Sequence, residues 1–227
     1  MKKLLLSTAL MTLSTVAMAH NVWLESSNQP HEYVVKFGHE KTESYPEHKL
    51  TKTVAVLGDA TQETLKATFK KGEAYLTTPE KTSLVLLAFD NGVWCKKANG
   101  KWVEQTKKNT PDAVSCVAAR KGGKAVLKQD DNFLKAHGQQ HELVPQAKPE
   151  VGKPLAILAL VDGKPVAGIP IGLGEDLPSE KTNDQGIAYY TPTAGMNKVW
   201  SEFATDTKDN PDYDQVSVEY MLTFEVK

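Results

Sequence analysis

The stretch Val216-Ser217-Val218-Glu219-Tyr220-Met221-Leu222-Thr223-Phe224-Glu225-Val226 decides the fold of this 227-residue chain. Its even-numbered residues are all apolar, whereas the odd-numbered residues between them are polar or charged, except for Met221. Because successive side chains of a β-strand point to opposite faces, this alternation predicts a long strand with one buried face. Such a strand must pack against a second layer, so the stretch favours a layered β fold.

Shorter runs rich in β-branched, aromatic and other apolar residues precede this strand along the whole chain. The predicted strands cover residues 33–37, 53–57, 65–69, 73–77, 84–89, 155–161, 166–173, 187–191 and 198–204. Tight-turn signals separate many of them. We expect turns at 90–92, 99–100 and 162–163, where Asn or Asp directly precedes Gly, and at 183–186, Asn-Asp-Gln-Gly. Residues 118–123 are typical of a turn or linker, and 131–137 of a short helix or a loop. The pattern predicts a mainly β protein.

A polar segment punctuated by Pro and Gly, residues 146–154, predicts a domain boundary. We therefore expect two β-sandwich-like domains, a β-rich N-terminal domain over 20–148 and a C-terminal sandwich over 149–227. In the second domain, a strand, an Asp-Gly turn, a second strand and the turn at 183–186 follow each other. This order resembles the transthyretin-like or carboxypeptidase-regulatory sandwich, which usually serves as a scaffold.

The first 19 residues have the three parts of a cleavable signal peptide. Met1-Lys2-Lys3 is positively charged, Leu4 to Val16 is mostly apolar, and Ala17-Met18-Ala19 is a small-residue cleavage pattern. The apolar part is shorter than the roughly 20 residues of a membrane-spanning helix, and no later segment reads as a span. We therefore expect a periplasmic protein that has no membrane span after cleavage and begins at His20.

Charge and cysteine content restrict the function further. The formal net charge is −1, and no basic stripe is present to neutralise phosphates, which argues against a nucleic-acid partner. In an oxidising compartment, the two cysteines, Cys95 and Cys116, are expected to form a disulfide that contributes about 3 kcal/mol. The alternative is a metal or redox pair, but their spacing is far from Cys-x-x-Cys.

All six histidines lie in the predicted N-terminal domain, and imidazole is the commonest metal ligand. After cleavage, His20 offers its α-amine and its imidazole to one ion, and His39 and His48 are the natural partners. His137 and His141 form a second candidate pair, because residues four apart share one face of a helix. The competing interpretation is that these are ordinary surface histidines. Enzyme motifs such as Gly-x-Ser-x-Gly or His-Glu-x-x-His are absent from the sequence, so we expect a protein without catalytic activity.

Three short motifs carry a family resemblance. Residues 19–25, Ala-His-Asn-Val-Trp-Leu-Glu, resemble the start of a family of periplasmic proteins linked to nickel and cobalt transport, a family that also carries an unknown-function label. Residues 37–40 and 43–47 are similar to its Gly-His and Glu-x-Tyr-Pro segments, and the closing strand fits as well. The resemblance implies a periplasmic accessory component of nickel or cobalt uptake. Within the motifs, it implies His20 and His39 as ligands, and Trp23 and Tyr45 as packing residues.

Taken together, these features favour a protein that binds a divalent transition metal ion and delivers it to a membrane metal-transport complex. The candidate ligands are His20, His39, His48, His137 and His141, and the expected ion is nickel or cobalt, with copper and zinc as alternatives. Two other hypotheses remain open. One is a β-sandwich module for ligand binding or adhesion without a metal, and the other is a copper oxidase that uses the N-terminal histidine as a brace.

Overall fold

The computed structural model describes residues 20–39, 41–175 and 177–227, so the predicted signal peptide, residues 1–19, lies outside the described residues. Within these ranges the chain forms strands and three short 3₁₀ helices, and the prediction of a mainly β protein is confirmed. The strands of the first half are β1 (Asn21–Ser26), β2 (Glu32–Gly38), β3 (Leu50–Leu57), β4 (Gln62–Thr64), β5 (Ala67–Lys70), β6 (Glu73–Thr77), β7 (Thr82–Lys97), β8 (Trp102–Glu104) and β9 (Ala113–Val126). Those of the second half are β10 (His141–Pro145), β11 (Leu155–Val161), β12 (Lys164–Pro165), β13 (Pro170–Gly172), β14 (Ser179–Lys181), β15 (Ile187–Tyr190), β16 (Gly195–Asp206) and β17 (Gln215–Val226). The 3₁₀ helices are Glu47–Lys49, Lys107–Asn109 and Asp131–Leu134.

A nine-stranded sheet forms the middle layer of the molecule. Its order is β14-β13-β16-β17-β9-β7-β3-β4, and β8 pairs with β7. The predicted alternating strand is β17, which pairs antiparallel with β16 and parallel with β9. It thus lies near the centre of the sheet, where backbone groups on both of its edges are hydrogen-bonded.

Two smaller sheets cover parts of the opposite faces of this middle layer. The sheet β1-β2-β6-β5 packs on one face, where Ala125 of β9 joins a core that contains Val22, Phe37 and Phe89. The sheet built from β10, β11, β12 and β15 packs on the other face. There, Val126, the next residue of β9, joins a core with Tyr220 and other even-numbered residues of β17. Alternating side chains of a single strand therefore serve two separate cores.

The two predicted sandwich domains are not separated by a break in the sheet. β9 belongs to the first predicted domain and β17 to the second, yet they pair in register from Val117 beside Gln215 to Ala125 beside Thr223. One sheet consequently passes through both halves of the chain. The stretch 146–154 does lack regular strands, as a boundary would, but it connects β10 to β11, which are neighbouring antiparallel strands of one sheet.

Two local predictions were wrong, and both lie in long strands. Residues 118–123 are not a linker but the middle of β9, where the ring of Tyr220 leaves no room for a side chain at Gly122. Residues 90–92 do not end a strand, because they form a bulge inside β7, with Gly92 at φ +86°. The side chain of Asp90 pairs with Arg120 across this bulge. Both segments stay within strands despite their turn-like sequence, because β7 and β9 are long and pair with each other.

The expected disulfide between Cys95 and Cys116 is present. The two cysteines face each other across β7 and β9, with their Cα atoms 4.1 Å apart. Next to it, the turn at Asn99-Gly100 joins β7 to β8 as predicted. In the described part of the chain, no helix is long and apolar enough to cross a membrane.

Candidate metal-binding site

The start of β1 and the end of β2 meet at one corner of the molecule. Asn21 pairs with Gly38 at the end of the β1–β2 ladder. His20, directly before β1, and His39, directly after β2, therefore flank this end of the ladder. Beyond Gly38 the chain turns back sharply, and the amide of Glu43 donates a 2.8 Å hydrogen bond to the carbonyl of Phe37. The return loop therefore brings Glu43 to the same corner. We call His20, His39 and Glu43 the histidine corner.

Gly38 makes this return loop possible. Its backbone lies at φ +147°, and a Cβ atom here would lie 2.1 Å from the carbonyl oxygen of Lys41. Any larger residue would clash with the loop and displace it. In addition, residues with a Cβ rarely adopt this backbone conformation. The glycine of the Gly-His motif is thus needed for the position of Glu43.

The imidazole of His20 is held from two directions. Its ring stacks on Phe37 with centroids 5.0 Å apart, and its Nε2 atom lies 2.8 Å from Oε1 of Glu43. A carboxylate only accepts hydrogen bonds, so Nε2 carries the proton and donates. The other ring nitrogen, Nδ1, is the one beside the backbone nitrogen of the same residue. Glu43 thus selects the tautomer that leaves Nδ1 available as a metal ligand.

A rigid aromatic cluster supports the corner from below. Phe37 stacks on Phe89 at 4.8 Å, and Tyr45 meets both rings edge to face. The hydroxyl of Tyr45 donates to the carbonyl of Val35 and accepts a hydrogen bond from the amide of Ala74. Burial raises the pKa of Tyr45 to about 12, so it remains neutral. Tyr45 is a packing residue, and it ties the return loop to β2 and β6.

His39 and His48 are both exposed, in different settings. His39 lies in the turn directly after β2, whereas His48 lies on the 3₁₀ helix Glu47–Lys49. In the ranges 20–39, 41–175 and 177–227, no three His, Cys, Asp or Glu side chains are grouped closely enough to hold a metal ion. Within the histidine corner, the structure brings together the side chains of His20 and Glu43.

His137 and His141 occupy separate environments, with no helix between them. His137 has its Nε2 atom 2.8 Å from the carbonyl of Asn132, and its amide donates to both carboxylate oxygens of Glu142. His141 begins β10, and its ring contacts that of Phe203 at 5.1 Å. Burial lowers the pKa of both histidines. Both rings are thus partly buried against neighbouring residues, and the i, i+4 geometry of a metal-binding helix is not formed.

Sequence reasoning did not find two buried ion pairs. Lys124 of β9 lies 2.6 Å from Glu142 of β10, and both side chains are essentially inaccessible to solvent. Lys121 of β9 lies 2.5 Å from Glu219 of β17 on the opposite face of the sheet. Burial raises the pKa of Glu219 to about 7, against the opposing influence of Lys121. The one available signal was the charge of Glu219 in the middle of an otherwise buried strand.

The chain matches a known family over most of its length. Residues 17–202 match the family described as "Domain of unknown function (DUF4198)". The chain is also 50% identical over 220 residues to an "Uncharacterized protein" of Haemophilus influenzae (strain ATCC 51907 / DSM 11121 / KW20 / Rd). That alignment covers 97% of this chain and 96% of the relative. The chain therefore belongs to the DUF4198 family.

Proposed function

We propose that this protein is a periplasmic accessory protein for nickel or cobalt uptake, which binds the ion at the histidine corner and passes it to a membrane transport complex. The contact of His20 Nε2 with Glu43 Oε1 at 2.8 Å carries the proposal. It leaves Nδ1 unprotonated, and Nδ1 is the ring nitrogen that can close a chelate ring with the α-amine once the chain begins at His20. The proposal rests on cleavage after Ala19, which the leader pattern predicts.

The mature terminus has the donor chemistry that such a site requires. The α-amine and Nδ1 of His20 close a six-membered chelate ring on one metal ion. Free α-amines titrate near pH 8, so releasing the proton to a metal costs little at neutral pH. Glu43 then acts through the imidazole, as carboxylates that hold metal-bound histidines commonly do. His39, which lies in the turn directly after the neighbouring strand β2, is the proposed third ligand.

Nitrogen ligands of this type suit nickel, cobalt, copper and zinc. Copper binds most such sites tightest, so affinity measured with one ion at a time does not identify the physiological cargo. The choice of nickel or cobalt rests on the resemblance of residues 19–25 and 37–47 to proteins of nickel and cobalt transport. Because protons compete for the same nitrogens, affinity should fall as the pH decreases.

The test is calorimetric titration of Ni²⁺, Co²⁺, Cu²⁺ and Zn²⁺ into tag-free protein that begins at His20, beside a version with one additional N-terminal residue. We expect stoichiometric binding that the additional residue abolishes. Glu43→Ala should weaken binding about 10- to 100-fold, the usual effect of losing a carboxylate behind a ligating histidine. His39→Ala should also weaken it, whereas His48→Ala is the matched control and should bind as the parent does.

Equal binding by the two N-terminal versions would refute the proposal and favour a β-sandwich module without a metal. Copper-dependent oxidation in the presence of a reductant would favour the copper oxidase instead. Delivery is tested separately, by measuring nickel and cobalt accumulation in cells that carry the His20→Ala variant. Reduced accumulation is expected at limiting external metal, and unchanged accumulation would contradict a role in uptake.

A further inference from the structure

A concave site lies near the other end of β1, away from the histidine corner. It is a cavity of about 220 Å³ between β1, the end of β9 and the β16–β17 hairpin. Its walls are mostly apolar and include Trp23, Leu24, Tyr33 and Met196, and the side chain of Lys198 also lines it. Pockets for drug-sized ligands measure roughly 300–1,000 Å³, so this one fits a smaller molecule.

Lys198 has an unusual environment. Its ammonium lies 4.1 Å from the ring centroid of Trp23, a cation–π contact. Among the residues that the structure describes, no oxygen accepts a hydrogen bond from this ammonium and no carboxylate lies within ion-pairing distance. Burial lowers the pKa of Lys198, and the nearby charge of Glu25 only partly opposes this. A half-buried cation of this kind gains stability from an anion that enters the cavity.

Glu25 is not that anion in this structure, because its carboxylate contacts Trp23 and influences Lys198 only from beyond ion-pairing distance. Its Oε1 atom accepts a 2.8 Å hydrogen bond from Nε1 of Trp23. This bond fixes the indole plane, and Trp23 also packs against Trp200 and Met221. The apolar surface beside Lys198 is therefore rigid, while the exposed Met196 offers a flexible thioether at the rim.

We propose that this cavity binds a small organic carboxylate whose apolar body packs against Trp23 and Met196 and whose carboxylate pairs with Lys198. The anionic group satisfies the ammonium, and the apolar body matches the walls. This site is independent of the metal proposal, because none of its lining residues belongs to the histidine corner.

The test uses 3-phenylpropionate as the probe and its uncharged amide as the matched control ligand, with metal-free protein in EDTA. Two-dimensional NMR follows the indole N–H signals, and Trp23→Phe assigns that of Trp23. We expect saturable shifts of the Trp23 signal with a Kd on the order of 1 mM, given the size of the probe. The amide should bind about tenfold more weakly, because it lacks the charge that pairs with Lys198.

Lys198→Met keeps the apolar stem and should weaken 3-phenylpropionate binding by about tenfold or more. The exposed Lys208 provides the matched control, and Lys208→Met should leave binding unchanged. Equal binding of acid and amide, or equal binding by the Lys198→Met variant, would overturn the proposal. So would inorganic phosphate that shifts the Trp23 signal as strongly as the carboxylate, because this would indicate a general anion effect. The titration of the parent protein is decisive even if a variant fails to fold.

Discussion

Removing the ammonium of Lys124 should destabilise the protein more than any exposed charge change. Lys124 and Glu142 are 0% and 1% exposed, and their charged atoms lie 2.6 Å apart. The ammonium also donates to the carbonyls of Leu143 and Lys135, so all of its contacts are internal. Lys124→Met leaves the Glu142 carboxylate buried with the amide of His137 as its remaining donor. Breaking a buried pair in this way costs about 3–5 kcal/mol.

Urea unfolding followed by circular dichroism measures this loss of unfolding free energy. In a separate thermal unfolding experiment, the melting temperature of a protein of this size should fall by about 6 to 20 °C. The double variant Lys124→Met/Glu142→Gln removes the stranded charge and should be at least about 1 kcal/mol more stable than Lys124→Met alone. The exposed pair of Lys153 and Glu150 is the control, and Lys153→Met should change stability by less than about 1 kcal/mol. A loss below 1 kcal/mol for Lys124→Met, or a double variant less stable than the single one, would refute the reasoning.

Three further predictions concern Glu219, the disulfide and Gly38. The folded-state pKa of Glu219 is raised to about 7, so the folded protein binds this proton more tightly than the unfolded chain. The stability of the parent protein relative to Glu219→Gln should therefore fall as the pH rises from 5 to 7, by at most about 1.4 kcal/mol per pH unit. Urea unfolding at several pH values measures this, and a difference independent of pH would contradict it. Reducing the bond between Cys95 and Cys116, which are 21 residues apart, should cost about 3 kcal/mol in the same assay, and the Cys95→Ser/Cys116→Ser variant should show the same loss without reductant. Gly38→Ala should displace the return loop, weaken nickel binding and shift the NMR signals of His20 and Glu43, whereas Gly100→Ala, at an open turn, should leave both unchanged.

The sequence predicted the strands best where the pattern was local. The alternating stretch 216–226, the run 73–77 and the run 155–161 all form strands with nearly the predicted bounds. Side-chain periodicity depends only on neighbouring residues, so it can be read without knowing the partners. Turns with Asn-Gly or Asp-Gly at 99–100 and 162–163 were predicted for the same reason, and the left-handed conformations of Asp162 and Gly163 follow from it.

The candidate site was only partly accessible to such reasoning. His20 was singled out because cleavage would expose its amine, and the histidine corner does contain it. Glu43 entered the sequence analysis only as part of the Glu-x-Tyr-Pro segment, since its contact with His20 depends on the return loop beyond Gly38. His137 and His141 have the spacing of a metal site, but their rings are committed to Asn132 and Phe203. The spacing of two histidines along the chain does not determine which residues contact their rings in the folded protein.

By itself, the sequence determined the mainly β character, the disulfide and the positions of most strands, because each depends on local periodicity, turn chemistry or residue type. Only the tertiary structure decided that β9 and β17 pair in parallel and merge both halves of the chain into one sheet. It also decided which charges are buried together, as for Lys124 with Glu142, and which residue orients His20. These features depend on contacts between residues far apart in the chain, and such contacts leave no periodic signal in the sequence.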